Sequence, residues 1–145
     1  MRVLGISCFY HDAAACLVDE GRIVAAASEE AFSRVKHDSN FPSRAAAYVL
    51  REGGIDISKV DAVIYYDKPL KKFDRVLRTH VDNFPRALGP FVRKMPHMVS
   101  KELRIPKVLR DELNYHGPVL YSEHHLSHAA SAFYCSGWEE ASILT

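Results

Sequence analysis

A chain of 145 residues suits one domain and is long enough to bury a real core. With 48% apolar and 26% charged residues and a formal net charge of +1, it has the composition of an ordinary soluble globular protein, with no global field directed at nucleic acid or a membrane surface. Nothing at the start resembles a signal peptide, no apolar run approaches the ~20 residues that a bilayer needs, and three cysteines without C-x-x-C spacing argue against a disulfide scaffold or thiolate zinc site and for a reducing cytoplasm.

The chain opens with three short apolar runs, Val3 to Phe9, Ala13 to Val18 and Arg22 to Ala27, which predict three antiparallel strands in a meander. Asp19-Glu20-Gly21 is hairpin chemistry, since Gly21 accepts the positive φ of a tight connection. Tyr10-His11-Asp12 interrupts the first two runs and reads as the turn between them. Ser28 with the following acidic pair starts a short helix or turn. After the break at Pro42, Ser43 reads as the N-cap of a helix with Ala46, Val49 and Leu50 on one side, stopped by Gly53-Gly54. A strand over Ala62 to Tyr66 follows, and helix, short link and β-branched or aromatic strand in succession predict an α/β layer.

From Lys68 to Asn114 the sequence reads as helical, broken at Pro69, Pro85, Pro90, Pro96 and Pro106. Val119 to Tyr121 predicts another short strand, and "HLSHAASAFYCSG" a small-residue helix stopped by Gly137. "ASILT" begins a further strand without a closing element, so the expectation is an incomplete unit over 1–145, a fragment of a larger chain, with a helical basic insertion at about 68–118. That insertion holds 12 Lys/Arg against 5 Asp/Glu, a net of +7, whereas the remainder carries −6. A basic middle can meet phosphate or another acidic partner, or can be the solvated face of amphipathic helices.

Two places hold chemistry. His124 and His128 are four apart, which on a helix puts both imidazoles on one face, able to grip one cation; a structural or surface role is the alternative. His125 stands where the glutamate of an H-E-x-x-H peptidase helix belongs, so metal-hydroxide peptidase chemistry is not supported. Two histidines rarely complete a shell, and a carboxylate must come from elsewhere. His11 and Asp12 sit at a strand-to-strand turn, where scaffolds present reactive groups, and His11 suits general-base work on a hydroxyl; Asp12 could equally serve as the turn's cap. "SRVKHD", with Arg34, Lys36, His37 and Asp38, offers fixed cations for a phosphate or carbamoyl-type anion, or is a solvated loop.

"LGISCFYHDAAACLVDEGRIVAAASEEAFSRVKHD" and "SEHHLSHAASAF" together resemble the N-terminal part of the O-carbamoyltransferases of nodulation-factor and antibiotic tailoring. The resemblance covers residues 1 to about 66 and 119 to 145, with the basic middle least diagnostic. It implies an α/β fold of the actin, Hsp70 and sugar-kinase type (ribonuclease H-like), related to proteins that transfer threonylcarbamoyl to tRNA, which begins with such a meander. It implies transfer of a carbamoyl group from carbamoyl-adenylate, made from carbamoyl phosphate and ATP by a carboxyl-terminal domain, to an acceptor hydroxyl of a sugar or antibiotic-like small molecule. His124 and His128 then match metal ligands for Fe(II) or a similar divalent ion, and His11 matches the base. Lys36 matches a lysine on the carbamoyl-adenylate, with Asp12 and His125 facing substrate. The family's aspartate ligand follows the strand that "ASILT" begins, so these 145 residues alone are expected to bind metal weakly and not to turn over. A sugar-kinase-like phosphotransferase of the same fold would need Gly, Thr or Ser where "CFYHDAAA" has His and Asp. A non-enzymatic nucleic-acid or protein-binding module would work through the basic middle and bind in a salt-sensitive way.

Overall fold

Alternation of buried and half-exposed side chains makes the first 28 residues a sheet. In the computed structural model, which describes residues 1–144, β1 (Arg2–Ser7) buries Leu4 and Ile6, and β2 (Ala14–Asp19) buries Ala15 and Leu17 on the same face. β3 (Arg22–Ser28) completes the antiparallel meander, with a register irregularity opposite Leu17 and Val18. Glu20 (φ 47°) and Gly21 (φ 76°) form the hairpin turn with both central residues left-handed, the twist that suits a two-residue connection.

The chain then makes a one-turn helix, α1 (Glu30–Ser33), and α2 (Ser43–Glu52), whose Ala45, Ala46, Val49 and Leu50 pack on β2 and β3. β4 (Ala62–Tyr65) and β5 (Val119–Tyr121) add to the other side of β1 as parallel strands, giving the order β3-β2-β1-β4-β5. Between them lie α3 (Pro69–Asp82), α4 (Leu88–Ser100) and α5 (Ile105–Leu113). Ile105 and Leu109 of α5 join the core with α2, Val63 and Tyr65. α6 (His124–Phe133) lies against the opposite, small-residue face, where the Ser127 hydroxyl donates to the Tyr66 carbonyl (2.9 Å). A shallow apolar groove of about 570 Å³ lies between it and Gly5, Cys16, Ala26 and Ile64. The mixed α/β layer expected from the sequence is present.

Four local expectations change. Ser43 is the first helical residue rather than the N-cap, and its hydroxyl donates to Glu112 (3.0 Å). The cap comes instead from Glu29, 5% exposed, whose carboxylate accepts the Ala45 N–H (2.8 Å) and the Arg44 N–H (3.4 Å). A carboxylate there satisfies two free N–H groups and meets the positive end of the helix dipole, which a Ser at position 43 cannot do from inside the helix. Pro69 and Pro106 start helices rather than break them, because a first-turn proline lacks an N–H that the helix would not bond anyway, and Pro96 is accommodated within α4. At the far end, α6 finishes at Phe133, four residues before Gly137. Ala141–Leu144 pairs with no strand among the described residues, so its backbone gains no ladder bonds; Thr145 of the expected strand lies outside them.

Glu29→Ala removes both capping bonds at once and is expected to lower stability by about 1–2 kcal/mol in urea unfolding, with Glu29→Gln losing less. An alanine variant as stable as the parent would show that these bonds add nothing.

A candidate active site at the carboxyl ends of the parallel strands

Because β1, β4 and β5 run parallel, the segments that leave them emerge on one edge of the sheet. These are the Cys8–Ala13 turn, Tyr66-Asp67-Lys68, and Ser122-Glu123 with the start of α6. Open α/β sheets bind ligands on that edge, since the outgoing loops diverge there and leave a crevice.

The first turn is stitched to the loop after α1 by main-chain bonds. The Phe9 N–H donates to the Ser39 carbonyl (2.7 Å) and the Ala13 N–H to the Asp38 carbonyl (2.7 Å). Asp12 (φ 44°) and His37 (φ 54°) both take left-handed backbone, and their side chains meet. Asp12 Oδ2 lies 3.0 Å from His11 Nδ1 and Oδ1 lies 2.9 Å from His37 Nδ1. A carboxylate only accepts, so each imidazole, when neutral, carries its proton on Nδ1 and keeps an Nε2 lone pair. The His37 N–H also donates to Glu30 Oε2 (2.8 Å). The hydrogen bond from His37, reinforced by that from His11, holds the Asp12 carboxyl below the usual range, and the Asp12 carboxylate raises His37.

Those two directions fix a pH window. Asp12, depressed in the folded state, contributes stability above its unfolded pKa and loses it as pH falls through the lowered value. His37, raised in the folded state, contributes below its unfolded pKa and loses it as pH rises through the raised value. The melting-temperature difference between the parent and Asp12→Asn is therefore expected to be greatest between about pH 4 and 6.5 and to narrow above that range, as the His37 contribution is lost and the Asp12 contribution remains. A difference that grew steadily toward pH 9 would contradict the pairing.

On the opposite side of the crevice, α6 presents His124 and His128 with their Nε2 atoms 3.2 Å apart and rings nearly perpendicular. His124 is half-buried against the Tyr66 ring, at 5.6 Å between centroids. Desolvation, with smaller contributions from His128, His125 and Lys72, lowers its pKa against the opposing pull of Asp67. Its Nδ1 is buried without a hydrogen-bond partner among the described residues. Two imidazoles converging at this separation fit neighbouring positions around one divalent ion with bonds of about 2.1 Å. Imidazole nitrogen is a donor that iron and zinc both accept. The donor set fits the implied metal, and the i, i+4 spacing is realised on a helix as expected.

His125 shares a cavity of about 530 Å³ with His124, where Asp67, Lys68, Lys71, Lys72, Arg75 and Glu123 complete the lining. Glu123 accepts from Lys71 (2.6 Å) and Lys68 (3.0 Å), which together hold its pKa at about 2. Lys72 pairs with Glu102 (2.6 Å), both largely buried, and its ammonium stands 5.2 Å from the Tyr10 ring centre. His97 and Lys101 of the insertion pack on Phe9. The basic middle is therefore a wall of the crevice, where Lys68, Lys71 and Lys72 are turned onto carboxylates.

The structure brings His11 and Asp12 together, and His124 and His128, but in two separate groups. Tyr10 links them: its ring lies against His11 (4.7 Å), and it shares a small cavity with Tyr66, Asp67, Lys72 and His124. Lys36 is exposed in the loop after α1, around a shallow cavity with Ser28, Glu30 and Arg34, and makes no ion pair among the described residues. Asp67 and Tyr66 were not singled out from sequence, although a carboxylate directly after a buried strand is a usable signal. From sequence His37 was read within the SRVKHD cluster, as part of an anion site or a solvated loop, and not as a partner of Asp12. Its partner Asp12 lies 25 positions away.

Comparison with known proteins bears on this arrangement. Residues 2–145 match the model of the family described as carbamoyltransferase N-terminus. An uncharacterized protein of Synechocystis is 44% identical over 150 residues, covering 98% of this chain and 24% of that protein. The nodulation protein NolNO of Sinorhizobium fredii is 33% identical over 144 residues, covering 94% of this chain and 19% of its own length. The chain thus spans a quarter or less of the length of these curated relatives. The family match runs without interruption through the His11 turn, the basic helices and the paired histidines of α6, and on that ground this chain belongs to the carbamoyltransferase N-terminus family.

Proposed function

We propose that the chain is the acceptor-activating, metal-holding part of a cytoplasmic O-carbamoyltransferase whose carboxyl-terminal portion forms carbamoyl-adenylate from carbamoyl phosphate and ATP. The acceptor is a hydroxyl of a sugar or antibiotic-like small molecule. The observation that carries this reading is that a His–Asp dyad and a converging histidine pair stand on one edge of the sheet in a member of this family. The antiparallel meander continued by parallel strands supports an actin, Hsp70 and sugar-kinase type of domain.

In this reading His11 Nε2 takes the proton of the acceptor hydroxyl while Asp12 holds Nδ1–H and stabilises the imidazolium. The acceptor oxygen forms a bond to the carbamoyl carbon, the bond from that carbon to the phosphate oxygen breaks, and AMP leaves with the electron pair. A divalent ion such as Fe(II), when bound by His124 and His128, supplies Lewis acidity toward the donor's oxygens. Lys36 places a cation near the donor phosphate, and Asp12 and His125 face substrate. Crevice lysines paired with carboxylates fit a small-molecule pocket better than a nucleic-acid surface.

The test is carbamoyl transfer by the full-length protein containing this chain, with labelled carbamoyl phosphate, ATP and a panel of hydroxylated acceptors. Label in the acceptor that requires both carbamoyl phosphate and ATP supports the reading. Phosphorylation of the acceptor by ATP without carbamoyl phosphate would replace it with a kinase. Metal binding is checked separately by anaerobic Co(II) titration: His124→Ala and His128→Ala are each expected to weaken it on the order of tenfold or more, and His125→Ala to leave it unchanged.

A further inference from the structure

His37 has no role in the reading above, yet it is held as firmly as His11. Its loop is tied to the first turn by the bonds from Phe9 and Ala13, its own N–H is fixed by Glu30, and its Nδ1 meets the one Asp12 oxygen that His11 does not use. Asp12 is half-exposed, so without a second anchor its carboxylate is free to rotate away from His11. A carboxylate shared by two imidazoles cannot serve them independently: protonation of one weakens its hold on the other.

We propose that His37 is a positioning residue for His11: it anchors Asp12 from the opposite side, so that the carboxylate keeps His11 in the Nδ1–H tautomer with Nε2 free to act as base. The inference rests on the reading of His11 as the base, and it adds a third member, His11–Asp12–His37, to the dyad. The charged and titratable groups around His37 are Asp12, Glu30 and His11, with Arg34, Lys36 and Asp38 on its own loop. Glu30 faces its backbone and favours its charged form as Asp12 does. As His37 gains its proton it takes a larger share of the Asp12 charge.

Two substitutions separate position from charge. His37→Asn tolerates the left-handed backbone and keeps an N–H near the place of Nδ1, but cannot be protonated. His37→Gly also tolerates that backbone and removes the donor. The readout is the tautomer and titration midpoint of His11, from two-bond proton–nitrogen spectra of this chain. In the parent, His11 is expected in the Nδ1–H form and the two histidines to titrate as a coupled pair. The glycine variant is expected to lose the Nδ1–H preference. The asparagine variant is expected to keep it, while the His11 midpoint rises by about 0.5 pH unit because a neighbouring cation is gone. In the full-length protein the asparagine variant shifts the acid limb of the kcat profile upward, and the glycine variant lowers kcat about tenfold with KM unchanged. A glycine variant whose His11 keeps both tautomer and midpoint overturns the proposal, as does an asparagine variant that behaves like glycine. Because the spectra need no substrate, a protein whose histidines respond as expected but which transfers no carbamoyl group would disprove the activity and not the positioning.

Discussion

His11→Asn is expected to lower carbamoyl transfer by the full-length protein by about 10²–10⁴-fold, the range for losing a general base. The substitution keeps a donor near the place of Nδ1, so Asp12 retains a partner, and removes only the Nε2 lone pair. His11 is exposed, so the melting temperature should barely move, and a change beyond about 0.5 kcal/mol would point to misfolding instead. The residual rate should also lose the imidazole limb of its pH profile. A variant retaining more than about a tenth of the parent kcat, with that limb intact, would remove His11 from the chemistry.

The largest stability effect is expected from Lys72→Met. Lys72 and Glu102 form an ion pair at 2.6 Å with side chains 11% and 6% exposed, joining α3 to the turn after α4. Removing the ammonium leaves a buried carboxylate whose remaining ion-pair contact is the exposed His97 imidazole, at 3.7 Å, which is charged only when protonated. The cost is about 3–5 kcal/mol, or about 6–20 °C in melting temperature for a domain of this size. The double variant Lys72→Met with Glu102→Leu should recover most of it, since two apolar side chains need no compensation. If the double variant were as unstable as the single, the loss would lie in packing rather than in the stranded charge. Because Lys72 also stands over Tyr10 and lines the crevice beside His124, the single variant is expected to disturb the site as well.

The part of the site that was legible in the sequence is the local part. His124 and His128 read as one ligand pair because the 3.6-residue period alone puts i and i+4 on one face. His11-Asp12 read as a presented dyad because two apolar runs flank it closely enough to require a turn. What failed to read was non-local. Ser43 looked like a cap because Ser is a good one, but the helix is capped by Glu29 from an earlier segment whose own function could not be inferred from its neighbours. Pro69 and Pro106 looked like breaks because proline is hostile to helix interiors, and their positions in first turns were set by where the flanking loops end. The basic run of 68–118 looked like a solvated face because its 12 Lys/Arg outnumber the 5 Asp/Glu within the run, leaving most cations without a local carboxylate. Two of its lysines, Lys68 and Lys71, find theirs in Glu123, across β5.

By itself, then, the sequence determined the elements and their faces: three strands of a meander, the apolar side of α2, the strand at Ala62, and a histidine pair on a small-residue helix. These follow from periodicity, which the chain carries residue by residue. Only the tertiary structure decided which groups meet. The pairing of β1 with β4 and β5 put three outgoing loops on one edge, and two main-chain bonds from the first turn to Asp38 and Ser39 brought His37 to Asp12. Such contacts join segments far apart in the chain, and their geometry depends on how whole elements pack. No local pattern records it.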